Sequence, residues 1–509
     1  MAMRVRSSFY RGELGQLATD LLAVACFEDQ VSATRELDGL DRAFSGNLRR
    51  ILDEEEFKGK SGSRVLVHTH GALSTRRLLV VGLGKRGEFD MPDTRAYGAT
   101  IMEVANATRV KDVSVVLPPL DGSAAERSTR FLFEGLHLGA YRFDRYQADD
   151  QRKRPNVESV SIVLGAGQSE PHLALAQAEV VGNAVNRARD LVNEPAGVLT
   201  PTALADYARE LAKSEGLECQ VLGPKECEKQ KMGLYLAVSR ASAEEPRFIH
   251  LTYCPKGKSV RRRIALVGKG VTFDSGGLSL KPSAGMLEMK ADMAGAAAVL
   301  GTMSALSQLG IKAEVHGIVA ATENMISGSA YKLGDVIVGM SGKSVEIHNT
   351  DAEGRLTLAD ALTYAQQVVQ PDELIDLATL TGACVVALGP YHAGVMGNDN
   401  ALIEHFLGAA RRAGEHAWKL PLPKQLRTML ESKIADLKNV GERWGGALTA
   451  GLFLQEFVND ISWLHVDIAG PAYADKAEAH VPQGGTGYGV AALLEHLAAR
   501  GSAGSNPAV

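Results

Sequence analysis

Arg263-Ile264-Ala265-Leu266-Val267-Gly268-Lys269-Gly270 is a short apolar run closed by a glycine-lysine-glycine triplet. It reads as a short buried strand entering a glycine turn, being too short for a helix and punctuated by glycine. After it come Val271-Thr272-Phe273-Asp274-Ser275-Gly276-Gly277, then Lys281-Pro282, then Met289-Lys290-Ala291-Asp292-Met293-Ala294-Gly295. Two carboxylates, Asp274 and Asp292, and two cations, Lys269 and Lys281, therefore follow one strand, among glycines that let backbone approach a ligand closely.

The same rhythm extends on both sides of this run. Strands are expected at Phe248–Tyr253, Ile264–Val267, Glu314–Ala320, Leu374–Leu377 and Leu464–Ile468. Helical periodicity is expected over Thr202–Lys213, Gly295–Leu309, Leu356–Val369, Ala401–Ala413, Ala447–Val458 and Val490–Ala499. Helices between successive strands argue for an α/β domain with a mostly parallel sheet covered by helices on both faces. Ligands of such sheets gather beyond the carboxyl ends of the strands. Lys269 and Asp274 fall just after one expected strand, and Thr379-Leu380-Thr381-Gly382 just after another.

A smaller α/β domain precedes it. Leu21–Phe27, Val65–Thr69, Leu78–Val81, Val113–Leu117 and Val160–Leu164 read as strands, and Pro92–Ala107 and Ala124–Tyr141 as helices. Gly82-Leu83-Gly84-Lys85-Arg86-Gly87 matches the G-x-G-x-x-G of dinucleotide sites. Such a site wants an acidic residue about twenty positions on, at the end of a second strand. Ile101-Met102-Glu103-Val104 reads as helix instead, which favours a plain glycine turn. The alternative is a nucleotide-binding or non-catalytic α/β protein. Leu173–Leu191 forms a long helical pattern ending at Asn193-Glu194-Pro195 and reads as a connector. The expected organisation is residues 1–168, an α/β domain; 169–195, a connecting helix; 196–500, the larger domain; and 501–509, a disordered tail of Gly, Ser, Pro and Ala.

Asn349-Thr350-Asp351-Ala352-Glu353-Gly354-Arg355-Leu356 supplies two more carboxylates and an arginine at two-residue spacing. In an extended or tightly turned segment all three point the same way. Like charges held that close need a cation between them or a proton. Read alone, the stretch is a polar cap on the next helix. Together with Asp274 and Asp292, it makes four carboxylates, enough to balance two divalent ions such as Mg, Mn or Zn. Paired metals about 3.5–4 Å apart are a hydrolytic device.

The strings VGKGVTFDSGGLSLKP (Val267–Pro282), MKADMAGAA (Met289–Ala297) and NTDAEGRL (Asn349–Leu356) resemble those of the leucyl aminopeptidases, or cytosol aminopeptidases, in order and spacing. The resemblance is firm over roughly residues 190–500. One departure, Gly197 in Asn193-Glu194-Pro195-Ala196-Gly197 where the family usually carries asparagine, lies outside the three strings. The resemblance implies two divalent metal ions per subunit, Mn2+ or Zn2+, held by Lys269, Asp274, Asp292, Asp351 and Glu353. Asp274 and Glu353 would serve both. It makes Lys281 and Arg355 the catalytic cations, with a bicarbonate ion at Arg355. Substrate would contact Met289, Asn349, Thr379, Leu380 and Gly382. Peptide substrates and a homohexamer follow from the same resemblance.

Composition sets outer bounds. The 509 residues are 45% hydrophobic and 23% charged, with a net charge of -5, so there is no electrostatic case for nucleic acid or an anionic membrane. Five cysteines without C-x-x-C spacing argue for reduced thiols in a cytosol. The amino terminus has no signal-like apolar run, and no stretch nears a bilayer-spanning length, so a cytoplasmic location is expected. Neither H-E-x-x-H nor G-x-S-x-G occurs. Gly342-Lys343-Ser344 lacks a P-loop's first glycine, Ile337 standing there. His316 and His465, within apolar strands, read as core or supporting residues rather than ligands.

Overall fold

The computed structural model describes residues 5–118, 125–152, 157–165, 167–255 and 262–501. The disordered tail expected over 501–509 lies, from residue 502 on, outside them, as does Ala124. The chain divides into two compact units, Met1–Asn183 with Lys476–Pro482, and Ala184–Asp475 with Gln483–Val509. The division falls inside the His172–Asn193 helix, and Lys476–Pro482 groups with the first unit although the sequence placed it in the second domain.

The first unit holds a six-stranded sheet of β1 (Arg6–Tyr10), β2 (Leu21–Cys26), β3 (Arg64–His68), β4 (Arg77–Gly82), β5 (Asp112–Val116) and β6 (Ser159–Val163), in the order β1-β6-β5-β2-β4-β3. Only β3 runs antiparallel to its neighbour. β2, LLAVAC, is buried throughout because both its faces are covered. Leu21, Ala23 and Ala25 join one apolar cluster with Ile101 and Leu132 of the Thr94–Ala107 and Ala125–Gly139 helices. Leu22, Val24 and Cys26 join a second with Leu40 and Leu48. β1 was not expected: its sequence, RSSFY, lacks a buried face, and it adds to the edge through parallel pairing with β6.

The second unit is built on an eight-stranded sheet. Its strands are β7 (Glu218–Leu222), β8 (Arg247–Tyr253), β9 (Arg263–Asp274), β10 (Glu314–Asn324), β11 (Glu373–Ala378), β12 (Ala393–Gly397), β13 (Ala417–Lys419) and β14 (Ser462–Asp467). In space the order is β13-β12-β14-β11-β9-β10-β8-β7. The central four, β14, β11, β9 and β10, are parallel. Antiparallel strands flank them at β8 and β12. The mostly parallel α/β sheet read from the sequence is therefore present.

Two local readings need correction. Gly268-Lys269-Gly270 is not a turn: β9 continues through it to Asp274, so Lys269 and Asp274 lie within the strand. Gly268 is small for packing. A Cβ there would sit 2.6 Å from Ala296 Cα, on the Ala294–Met303 helix that lies against β9. The helix expected over Gly295–Leu309 is two, Ala294–Met303 and Leu306–Leu309. At the break, Ser304 Oγ donates to Gly301 O at 2.6 Å, a side-chain bond that competes with helical geometry.

Candidate metal centre and catalytic site

Lys269 and Asp274 are five positions apart on β9, an odd spacing that puts side chains on opposite faces of a regular strand. A bulge changes this. The pairing with β10 passes from Val271 opposite Thr322 directly to Phe273 opposite Glu323, leaving Thr272 as an extra residue. Ala320 and Asn324, the β10 partners of Lys269 and Asp274, are an even four residues apart. The bulge thus turns both β9 side chains to one side of the sheet's carboxyl edge.

Asp292 reaches the same place from the Met289–Ala291 turn. Asp351 and Glu353 come from the turn leading into the Gly354–Tyr364 helix, with Glu353 at its N-cap. The three acids Asp274, Asp351 and Glu353 offer carboxylate oxygens within 4.8 Å of one another. Lys269 Nζ donates to Asp292 Oδ1 at 2.7 Å and to Thr379 O at 3.0 Å, and lies 2.9 Å from Glu353 Oε1. Lys281 Nζ lies 2.9 Å from Asp274 Oδ2 and pairs also with Asp351. Gly354 makes room for this packing: a Cβ there would fall 2.4 Å from Lys269 Cε.

Of the expected contact residues, Thr379 is tied in directly, its hydroxyl donating to Asp292 Oδ1 at 2.8 Å. Asn349 Oδ1 accepts from Asp351 N at 2.8 Å and so shapes the turn. Leu380 N donates to Asp467 Oδ1 at 3.2 Å and Met289 O accepts from Asp292 N at 3.4 Å, while Gly382 follows Thr381 in the chain. Arg355 is buried in the first turn of its helix and donates through a terminal nitrogen to Asn439 O at 2.8 Å.

Sequence reasoning missed the residues that hold these groups in place. Asn324 Nδ2 donates to Asp274 Oδ1 at 2.8 Å and to Thr350 O at 2.9 Å, joining the β9 and Asp351 segments. Asn439 accepts from His348 N at 2.8 Å and donates to Asn349 O at 2.6 Å. Asp467 Oδ2 accepts from the Thr381 hydroxyl at 2.7 Å. Single amides and acids in unremarkable strings leave no periodic signal.

The electrostatics follow from burial. Burial pushes the Asp292 and Glu353 carboxyls up, and the neighbouring Asp274 adds to it, while Lys269 pulls them down. Burial likewise raises Asp351. For Lys269, burial favours the neutral amine, but Asp292, Glu353 and Asp274 outweigh it and hold the group above the usual lysine range. Asp292 Oδ2 and Glu353 Oε2 are buried without a hydrogen-bond partner. Clustered carboxylates with orphaned buried oxygens are the donor set a hard or borderline divalent cation takes. Coordination by lysine requires the neutral amine. Reaching it from ~10.4 to below 7 costs roughly 4–5 kcal/mol at 1.36 kcal/mol per unit. A divalent cation among the same carboxylates opposes the charge that keeps Lys269 protonated, so the set fits metal.

The Gly82–Gly87 segment is a turn. Gly84 has φ +78, and a three-residue 3-10 turn, Arg86–Glu88, follows in place of a helix. Its amides are engaged inside the unit: Leu83 N donates to Cys26 O and Gly84 N to Gly59 O, both at 2.9 Å. A cavity of about 240 Å³ beside it is lined by Glu88 and Asp93 as well as Lys85, which already pairs with Glu88 at 3.2 Å. Such a lining does not suit a phosphate.

The chain matches known proteins over most of its length. A family model described as "Cytosol aminopeptidase family, catalytic domain" matches residues 186–494, and one described as "Cytosol aminopeptidase family, N-terminal domain" matches residues 23–150. A probable cytosol aminopeptidase of Cyanothece sp. (strain PCC 7425 / ATCC 29141) is 44% identical over 478 residues, 94% of this chain and 96% of that protein. One of Aquifex aeolicus (strain VF5) is 41% identical over 497 residues, 97% of this chain and 98% of that protein. Among solved structures, a mutant of tomato leucine aminopeptidase superposes with a TM-score of 0.90 at 35% identity, covering 98% of this chain and 97% of that one. The bottromycin maturation enzyme BotP in complex with Mn gives a TM-score of 0.84 at 37% identity, covering 95% of this chain and 100% of that one.

Proposed function

Because the chain belongs to the cytosol aminopeptidase family, we propose that its site removes single residues from the amino termini of peptides, apolar ones such as leucine first. The activity class, a metal-dependent aminopeptidase and so a hydrolase, is that of the family. The finer reading is a site with two divalent ions per subunit, Mn2+ or Zn2+, held by Lys269, Asp274, Asp292, Asp351 and Glu353. The observation that carries it is the convergence of Asp274, Asp351 and Glu353 within 4.8 Å beside orphaned oxygens of Asp292 and Glu353.

When bound, such ions supply Lewis acidity, accepting the substrate amine's lone pair, polarising the scissile carbonyl and lowering the pKa of water. The chain's residues do the rest. Lys281, at the rim of the cluster, places an ammonium where the carbonyl oxygen gains charge. Arg355 would hold a bicarbonate ion, which would supply a base for the proton water loses and an acid for the leaving nitrogen. Thr379 and Asn349 keep Asp292 and Asp351 oriented. Half-buried Met289 offers a flexible thioether wall to leucine-like side chains. The proposed setting is the cytoplasm, and the proposed assembly a homohexamer. Among the described residues no helix is long and apolar enough to cross a membrane.

The direct test is hydrolysis of leucyl-, glutamyl- and acetyl-leucyl-anilides by metal-stripped protein, before and after Mn2+ or Zn2+ is restored. Activity is expected only after restoration, rising from pH 6 to 10 as the amine (pKa ~7.7–8.0) loses its proton. Leucyl-anilide should lead glutamyl-anilide, whose carboxylate meets four others. Efficient cleavage of the acetylated compound would end the exopeptidase reading.

Asn324 gives a second test. Asn324→Ala removes the amide that orients Asp274, and residues supporting metal ligands are worth about 10–100-fold in affinity. Mn2+ titration into stripped protein should show a loss of that size. Unchanged affinity would confine Asn324 to a role at the strand end.

A further inference from the structure

Lys281, assigned to the oxyanion, sits at the end of a loop, 276–280, that follows β9. Leu278 and Leu280 of that loop are 45% and 57% exposed, so apolar burial does not hold it down. The Lys281 ammonium pairs with Asp274 and Asp351, the same acids proposed to take metal. Carboxylates engaged by divalent ions would loosen their grip on it, and a lysine stem without fixed partners has many rotamers. Other groups of the chain must then keep Lys281 aimed.

Backbone and hydroxyl groups near the loop are arranged to do so. Lys281 N donates to Ser275 O at 2.9 Å and closes the loop at its neck. Gly276 and Gly277 turn it through the left-handed region, at φ +84 and +62. A Cβ on Gly276 would fall 2.5 Å from Ser279 O, so the fold-back needs glycine there. The fold-back brings Ser279 against Thr350, the residue before Asp351. Ser279 N donates to Thr350 Oγ1 at 2.8 Å, and Thr350 N donates to Ser279 Oγ at 3.1 Å. The Thr350 hydroxyl in turn donates to Gly276 O at 2.7 Å. One hydroxyl, using its hydrogen and a lone pair, therefore spans both arms of the loop.

Thr350 is a fixed post for this docking. It is fully buried, and its carbonyl accepts from Asn324 Nδ2 at 2.9 Å and from the Tyr331 hydroxyl at 2.7 Å. Asn324 ends β10 and Tyr331 is buried, so neither hold comes from a ligand acid.

We propose that Thr350, together with Ser279, is a positioning residue for Lys281, docking its loop so that the ammonium meets the carbonyl oxygen as charge develops there. The proposal rests on the aminopeptidase reading, in which Lys281 stabilises that oxyanion. Thr350→Val keeps the shape of the side chain and removes the hydroxyl, whereas Thr350→Ser retains it. Ser279→Ala removes one bond of the dock and leaves the Thr350 hydroxyl in place.

With metal restored, Thr350→Val should lower kcat on leucyl-anilide about 10–100-fold, the cost of misplacing a reacting group by about 1 Å. Ser279→Ala should cost about fivefold, and Thr350→Ser should stay within about fivefold of the unmodified protein, its hydroxyl making the same bonds. KM and bound metal should change little. Calorimetric titration with the phosphonate analogue of leucine, whose tetrahedral anion imitates the oxyanion, should show about tenfold weaker binding to Thr350→Val.

A double-variant cycle separates positioning from packing. In a Lys281→Ala background, Thr350→Val and Ser279→Ala should cost nothing further in kcat, because the group they position is gone. A purely structural role would lower kcat by the same factor in both backgrounds, in step with melting temperature. Equal losses in the two backgrounds, an undiminished kcat in Thr350→Val, or a Thr350→Ser as slow as Thr350→Val overturns the proposal. Should Thr350→Val lose metal or fail to fold, Ser279→Ala decides through the same cycle. An unmodified protein inactive on leucyl-anilide with metal restored would sink the aminopeptidase reading and this proposal with it. An active one whose losses add across the cycle sinks only this one.

Discussion

Glu353→Ala, and Asp351→Ala beside it, should abolish turnover while the protein still folds. Glu353 is buried at the start of its helix, with one oxygen 2.9 Å from Lys269 Nζ and the other unpartnered. A carboxylate spent on the core would have both oxygens bonded. Lewis-acid stabilisation of a hydrolytic transition state is worth several kcal/mol. At 1.36 kcal/mol per tenfold, losing it costs on the order of 10³ in rate or more. Lys269 keeps Asp292 as a partner in the Glu353 variant, so a bare buried ammonium does not result. Glu353→Gln, which conserves shape, separates lost charge from lost packing. Rates, metal content and melting temperature together check this. Normal activity in a folded, metal-depleted Asp351→Ala, Glu353→Ala double variant would end the metal assignment.

The extent to which this site could be read from sequence depended on the scale of the signal. Alternating apolar runs placed β2, β4, β8 and β11 and the helices between them, because each strand is buried and each helix has a long periodic face. Three strings placed the carboxylates, because charged residues among glycines are conspicuous. What escaped was pairwise. The bulge that brings Lys269 and Asp274 to one side depends on the β10 register, which no local pattern encodes. The glycine triplet at 268–270 suggested a turn because the chain alone does not show the helix pressing on Gly268. Asn324, Asn439 and Asp467 became visible only once strands far apart in sequence were side by side. His465 reads as a core or supporting histidine rather than a ligand, and Asp376, its register partner, completes that buried pair.

Lys281→Ala should lower kcat about 10²–10³-fold, the usual worth of one donor aimed at a developing oxyanion. Metal should remain bound. The two lysines differ in ways that bear on their roles. Lys269 is enclosed, its side chain 4% exposed, within reach of two acids and a backbone carbonyl. Lys281 stands at the rim, its side chain 17% exposed. Burial works to lower its pKa, but Asp274 and Asp351 raise it above the usual lysine range. An ammonium has no lone pair for a metal and a full charge for an oxyanion. Divalent ions that engage Asp274 and Asp351 would weaken their hold on Lys281 and leave its charge for the substrate. Lys281→Arg keeps the charge but replaces a compact ammonium with a planar fork, so it should recover only part of the rate. KM should move little in either variant, since the interaction strengthens in the transition state. Loss of stoichiometric metal from Lys281→Ala would make Lys281 a ligand and exchange the parts assigned to the two lysines.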